Sequence, residues 1–286
     1  MKCFLFSCFI VLFLNLSAQQ AWTQKKGKGY FQIGTSYLKS SNLHIGKSNI
    51  RKLPREVTEI VFSSYNEYGI TDKLTAIMNL PFHYCSVGKF DSSFPSYKKF
   101  DKGSLSALGN VSTALLYNLF SKNGVVLSAK LNATYNTSSR QYNTGLSTGY
   151  DTFILEAAIL SGYSNSVIFA SGEISTVISP NNFLSRLNVN AQIGRRFFKN
   201  KKMLLILALS SNTYFSDISK SNALTVLQAS DYTGLYHPKQ EYYAVTLKAG
   251  YEFNLNWSVW LTTSGGAATN IGAGLNNSIA IGYKLR

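Results

Sequence analysis

The chain has 286 residues, of which 45% are hydrophobic, 14% aromatic and 14% charged, with a formal net charge of +15. An average soluble protein carries about a quarter charged residues, so the chain is short of charge. After its first residues it has no apolar run near the roughly 18 residues that a spanning helix needs, and MLLILALSS falls well short of one, which excludes a helical membrane protein. The first stretch, MKCFLFSCFIVLFLNLSAQQ, reads as a secretory signal: Lys2 gives the positive start, Phe4 to Leu14 the apolar core, and Ser17-Ala18 the small residues before a cut after Ala18. Cys8 lies inside that apolar core, so it is no lipid-attachment site. Removing the leader leaves Cys85 alone, expected as a small buried residue, and no disulfide framework. This divides the chain into a signal peptide (1–18), a periplasmic N-terminal segment (19–27) and one domain (28–286).

Segments of period-two alternation then recur to the end, at 28–39, 55–69, 73–87, 105–120, 124–136, 150–163, 166–178, 185–198, 202–215, 238–254, 256–264 and 275–285. In VVLSAKLNATY, for example, Val125, Leu127, Ala129, Leu131, Ala133 and Tyr135 form one apolar row, while Ser128, Lys130, Asn132 and Thr134 fall in the other. The same parity sets Leu187, Val189, Ala191 and Ile193 against Asn188, Asn190, Gln192 and Arg196. It sets Val245, Leu247, Ala249, Tyr251 and Phe253 against Thr246, Lys248 and Glu252, and it puts Ile279, Ile281, Tyr283 and Leu285 on one face. Segment 202–215 obeys it poorly, because MLLILAL is apolar on both faces.

The connections alternate in length. Those at 40–54, 88–104, 137–149 and 216–237 are long, and that in GGAATNIGAG is longer and glycine-rich. ITDK, SKNG, Ser164-Asn165, KNKK and 254–256 are tight, and 179–184 is intermediate. A soluble sandwich has no reason to follow such a rule, whereas an outer-membrane barrel has short periplasmic turns at one rim and longer loops at the other. The expected fold is therefore all-β: an antiparallel transmembrane β-barrel of about 12 strands, with apolar faces toward lipid, polar faces toward the lumen and both termini in the periplasm. Aromatics expected near the outer strand ends (Phe31, Tyr37, Phe62, Tyr68, Phe82, Tyr84, Tyr117, Tyr135, Tyr251, Phe253) suit the two lipid–water boundaries.

Four stretches carry a resemblance: the leader ending SAQQ, then AWTQKKGKGYFQIG, EYGITDKLTAIMNLPF and the last strand SIAIGYKLR. Together they resemble outer-membrane barrels of Bacteroidetes-type bacteria. YGITDKLTAIMNLPF is similar to a hairpin in the barrel family named after the meta-pathway of phenol degradation. Its members are regarded as transporters or channels of hydrophobic compounds, loosely related to fatty-acid uptake barrels. The likeness is specific around 65–82 and architectural elsewhere. Lys284-Leu285-Arg286 departs from the terminal aromatic of many such barrels, and the family implies no catalytic or binding residues.

Little in the sequence carries covalent chemistry. His44 and His237 fall in expected outer loops and His83 on the lumen face near the outer rim. No two share a short ligand spacing and no Cys/His cluster exists, so neither a metal nor any other cofactor is expected. There is no G-x-S-x-G, and the G-x-G of GGAATNIGAG has no helix after it, so no enzyme is expected. Lys and Arg are scattered, with small clusters at 25–28, 98–99 and 199–202. For an exported chain they suit lipid and lipopolysaccharide head groups rather than nucleic acid, with the barrel-assembly machinery as the partner for insertion. The candidate functional residues are those parity places in the lumen: Glu59, Glu67, His83, Lys130, Glu156, Glu173, Arg196, Lys248 and Glu252. Two readings stay open, a charge-lined aqueous path and paired charges that fill the interior, with pairing favoured. By position alone, 19–27 could enter the lumen as a partial plug. The expected function is a narrow channel or passive transporter for small solutes, hydrophobic ones included, in the outer membrane; the alternative is a non-conducting structural or surface-interaction barrel whose extracellular loops bind a partner.

Overall fold

The computed structural model describes residues 21–45, 49–91, 100–180, 185–197, 202–214, 233, 235–236, 240–269 and 272–286. Its strands in chain order are β1 (Gly29–Ile45), β2 (Asn49–Gly69), β3 (Leu74–Val87), β4 (Gly103–Leu108), β5 (Ser112–Lys122), β6 (Val125–Thr134), β7 (Arg140–Gln141) and β8 (Leu146–Ser147). They continue with β9 (Ile154–Ser164), β10 (Ile168–Ile178), β11 (Arg186–Phe197), β12 (Met203–Tyr214), β13 (Glu241–Glu252), β14 (Trp257–Thr269), β15 (Gly272–Ala273) and β16 (Asn276–Leu285). Twelve of them form a closed antiparallel barrel: β1, β2, β3, β5, β6, β9 to β14 and β16. β1 closes it, pairing with β2 along one edge and with β16 along the other, from Gly29↔Leu285 to Tyr37↔Asn277. Closure pairs each of these twelve strands with a neighbour on both sides, which is what lets a β-structure sit in hydrocarbon.

Period-two alternation explains both surfaces. Leu131 is 58% exposed while its neighbour Lys130 is 5% exposed, and the same contrast separates Leu247 from Lys248. The outward face carries Ile33, Leu131, Ile159, Ile174, Leu247, Leu261 and Ile281, all exposed. An apolar outer surface of this extent would be a liability in water and is at home in lipid. Aromatics ring it at two levels. Tyr68, Tyr117, Tyr163, Tyr251, Phe253 and Trp257 lie toward the short turns; Tyr37, Tyr84, Tyr135, Phe153 and Tyr243 lie toward the long connections.

The short turns follow from local chemistry. Asn123 and Gly124 both have positive φ, 52° and 81°. That is the two-residue mirror-image turn for which Asn-Gly is the preferred pair. Between β9 and β10, Asn165 Oδ1 accepts from the backbone N–H groups of Val167 and Ile168, both at 2.8 Å. Asn254 does the same for Asn256 and Trp257 between β13 and β14.

Strand borders agree with the sequence expectation to within a few residues, with four corrections. The expected loop 40–54 is mostly strand: β1 and β2 run on as a hairpin that bulges between Ser40 and Asn42, and His44 is buried on β1 rather than in a loop. Both faces of a hairpin beyond the lipid meet water or other protein, so the apolar-polar alternation stops while backbone pairing continues. The expected strand 105–120 is two, β4 and β5, broken at 109–111 because β4 pairs with the far half of β3 and β5 with its near half. The loop 137–149 contains the small hairpin β7–β8. The glycine-rich run at 265–274 is largely strand, since Gly265 and Gly266 pair with Val245 and Ala244. KNKK, except for Lys202, and His237 lie outside the described residues, as does the signal peptide.

Candidate functional site

The lumen is filled at both ends and hollow between. At the short-turn end, residues 21–24 fold into the barrel. Ala21 is fully buried and its carbonyl accepts from Ser128 Oγ at 2.6 Å. Gln24 donates its backbone N–H to Thr75 Oγ1 (2.7 Å) and its side-chain amide to Glu67 (2.6 Å). Trp22 packs with Ala21 on Leu116, Val126, Ala158 and Leu160. Gly162 makes room for that indole, since a β-carbon there would sit 2.7 Å from the ring. Ala21 to Gln24 thus lie within the barrel, while Lys25 to Lys28 are exposed at the short-turn rim.

At the other end the connections fold inward. Leu43, Leu53, Val57, Cys85, Val87, Leu146 and Leu235 form a buried apolar cluster. Arg55 ties the β7–β8 hairpin to it, donating to the carbonyls of Asp101 (3.0 Å) and Thr144.

Between the two lies a cavity of about 320 Å³ lined by, among others, Gln32, Tyr65, Asn79, His83, Lys130, Tyr150, Glu156, Arg186, Asn212, Tyr236, Tyr242 and Lys248. Of the candidate residues, His83, Lys130, Glu156 and Lys248 line it. Glu59 and Glu173 stand behind it as partners of His83 and Lys130. Glu67 belongs to the N-terminal segment's contacts. Arg196 and Glu252 lie at the short-turn rim instead.

Most of these charges are neutralised locally. Lys130 Nζ donates to Glu173 Oε1 at 2.8 Å, both side chains 4% exposed. Glu252 accepts from Lys284 (2.7 Å) and Arg196 (3.2 Å). Glu156 accepts from Ser175 Oγ (2.5 Å) and Asn132 (3.2 Å). Taking a charge out of water is costly unless such partners replace the water, so pairing describes these positions better than a bare ring of charge. Lys248 differs: it is buried at the cavity wall with no hydrogen-bond or ion-pair partner among the described residues. Asn79, Asn212 and Gln240, also in the wall, each carry a buried polar atom without a partner.

The sequence reading missed Tyr150, Arg186, Tyr236 and Tyr242. Arg186 was within reach, because it shares the parity of Asn188 and Asn190. It sits over the Tyr150 ring at 5.3 Å, a cation–π geometry, and Tyr150 OH donates to Gln240 at 2.7 Å. Tyr236 comes from the β12–β13 connection, where no pattern marks it. Its ring meets Tyr150 edge-on at 5.4 Å, and its hydroxyl lies 3.2 Å from Glu59 and 3.1 Å from His83. Burial, and then the Glu59 carboxylate, push the Tyr236 hydroxyl well above its ordinary pKa, so it stays a donor. The reading also found no metal-ligand spacing. Yet the β2–β3 register brings Glu59, His83 and Cys85 together, their donor atoms all within 4.8 Å of one another.

The barrel matches a solved structure over nearly its whole length. The COG4313 outer membrane channel from Pseudomonas putida F1 superposes with a TM-score of 0.67 at 13% identity, covering 94% of this chain and 99% of that one. The fold is that of an outer-membrane β-barrel. Two looser likenesses are the KdgM porin (TM-score 0.48, 6% identity, 89% and 99% coverage) and the toluene transporter TodX of Pseudomonas putida (0.44, 11%, 90% and 90%). No protein-family model matches the chain, and no curated protein matches it in sequence.

Proposed function

We propose that the chain is an exported outer-membrane channel that passes small solutes through its lumen by way of the central cavity. One observation carries the reading: a closed barrel with an apolar exterior encloses a partly polar cavity of about 320 Å³ between two packed ends. That size lies within the roughly 300–1,000 Å³ of small-molecule sites. The wall is of mixed character. Tyrosines, Trp260, Ile77 and Val177 offer apolar contact, while Lys248, Arg186 and the amides offer polar anchors. These fit a small solute with an apolar or aromatic body and an acidic group. No covalent step is involved: the cavity binds and releases.

The test is conductance of the refolded full chain in a planar bilayer, with the reversal potential measured under a salt gradient. The expected result is a small conductance with anion preference. Lys248→Met should shift the reversal potential toward cation preference, because Lys130 is already balanced by Glu173 and Lys248 is not. No conductance from inserted, folded protein, with and without residues 21–28, would overturn the channel reading in favour of a surface-binding barrel. For that second reading the long β1–β2 hairpin, with Arg51 and Lys52, is the observation.

A further inference from the structure

The register of the β2–β3 hairpin sets three metal-ligating side chains on one inward patch. Glu59 and Cys85 are direct cross-strand partners, so both side chains leave the sheet on the same side. His83 is two residues before Cys85 on β3 and shares that side. All three are buried, at 1%, 0% and 5% exposure. Glu59 Oε1 lies 2.8 Å from His83 Nδ1 and 3.7 Å from Cys85 Sγ. Tyr236, arriving from the β12–β13 connection, places its hydroxyl within 3.2 Å of the same two groups on Glu59 and His83. Glu59 Oε2 is buried and has no hydrogen-bond partner among the described residues. A carboxylate oxygen kept from water without a donor is one that a cation would satisfy.

The geometry points to a divalent transition-metal site of zinc type formed by Glu59, His83 and Cys85. Zinc bonds of about 2.0–2.1 Å to nitrogen and oxygen and about 2.3 Å to sulfur put tetrahedral donor atoms roughly 3.3–3.6 Å apart. The carboxylate–thiol pair, at 3.7 Å, is just beyond that range, the imidazole–carboxylate pair, at 2.8 Å, needs to open by about half an ångström, and all three donor atoms already lie within 4.8 Å of one another. The donor set of one sulfur, one nitrogen and one oxygen selects zinc-like ions over calcium or magnesium, which take oxygen alone. Charge also balances: a thiolate and a carboxylate offset a divalent cation, with imidazole neutral, so the buried site carries no net charge. Binding releases the Cys85 thiol proton and leaves His83 Nδ1 free to coordinate, with the ring proton on Nε2. His83 and Tyr236 line the central cavity, which gives the ion a way in through the lumen and gives the fourth position to the Tyr236 hydroxyl or a water.

The experiment uses the full mature chain, folded in detergent and checked by its heat-dependent gel migration. Cobalt(II) serves as the spectroscopic stand-in for zinc. The expected result is saturation at one cobalt per barrel, with a thiolate-to-cobalt charge-transfer band in the near ultraviolet that zinc then removes. Cys85→Ser should lose that band, and His83→Ala should lose saturable binding. Should either variant fail to fold, Glu59→Gln takes its place, with weakened binding expected. A folded wild-type barrel with no charge-transfer band, or a band that persists in Cys85→Ser, overturns the assignment. Neither result depends on conductance, so the site and the channel reading fail separately.

Discussion

The two ends of the lumen are filled by different means. The long-connection end is packed with chain anchored on both sides: the β7–β8 hairpin, its buried Leu146 and the apolar cluster around Val57 and Cys85. The short-turn end is packed by the run that leads into β1, held by Trp22 and a few hydrogen bonds. One filling is made by connections between strands, the other by the run ahead of β1. The second makes fewer contacts with the wall, so opening the lumen should cost least at its end.

That contrast can be broken or sharpened experimentally. The largest effect belongs to removal of residues 21–28 from the mature chain: conductance in a planar bilayer should rise several-fold while the heat-dependent gel shift stays intact. An unchanged conductance would mean that the long-connection end alone limits flow. Leu146→Ala comes next, because a fully buried leucine in the anchored core is lost with its cavity. Denaturant unfolding in detergent should show about 2–5 kcal/mol of destabilisation, with conductance little altered. Trp22→Ala should cost about 1.5–3 kcal/mol of docking. Its signature is faster hydrogen exchange at residues 21–28 with the global unfolding midpoint nearly in place. A midpoint that falls as far as in Leu146→Ala would erase the distinction between the two ends. The smallest effect is at Lys39→Ala. Its ion pair with Glu56 at 3.0 Å is solvent-exposed, so no measurable change in unfolding is expected.

The barrel itself was legible because lipid imposes a simple rule on sequence. Every second residue of β6, β11 and β13 must be apolar, and Lys130, Gln192 and Lys248 are left for the other face. Where lipid ends, so does the rule. The β1–β2 hairpin beyond the rim reads as polar loop although its backbone pairs as far as Asn49 and Ile45. The inward faces were legible as positions, and their contacts were not. That Lys130 on β6 meets Glu173 on β10, two strands along the barrel wall, depends on how the sheet curves. The meeting of Glu59, His83 and Cys85 was partly within reach, since the ITDK turn fixes which residues of β2 and β3 face each other. Linear spacing concealed it, because ligands across a hairpin have no constant separation along the chain. Tyr236 and the inward-folded connections left no periodic trace.

The seam between β1 and β16 has a consequence for how the molecule is made. Gly29 pairs with Leu285, so β1 gains its second neighbour only when β16, far along the chain, has been placed beside it. Until then both strands are bare template, each able to recruit a foreign strand or a second copy. Bringing together residues nearly a whole chain apart is also the slowest kind of contact to form. A barrel closed in this way keeps two open edges until its seam forms, so the nine-rung pairing of Gly29 to Tyr37 against Leu285 to Asn277 is what sets closure against edge-to-edge association.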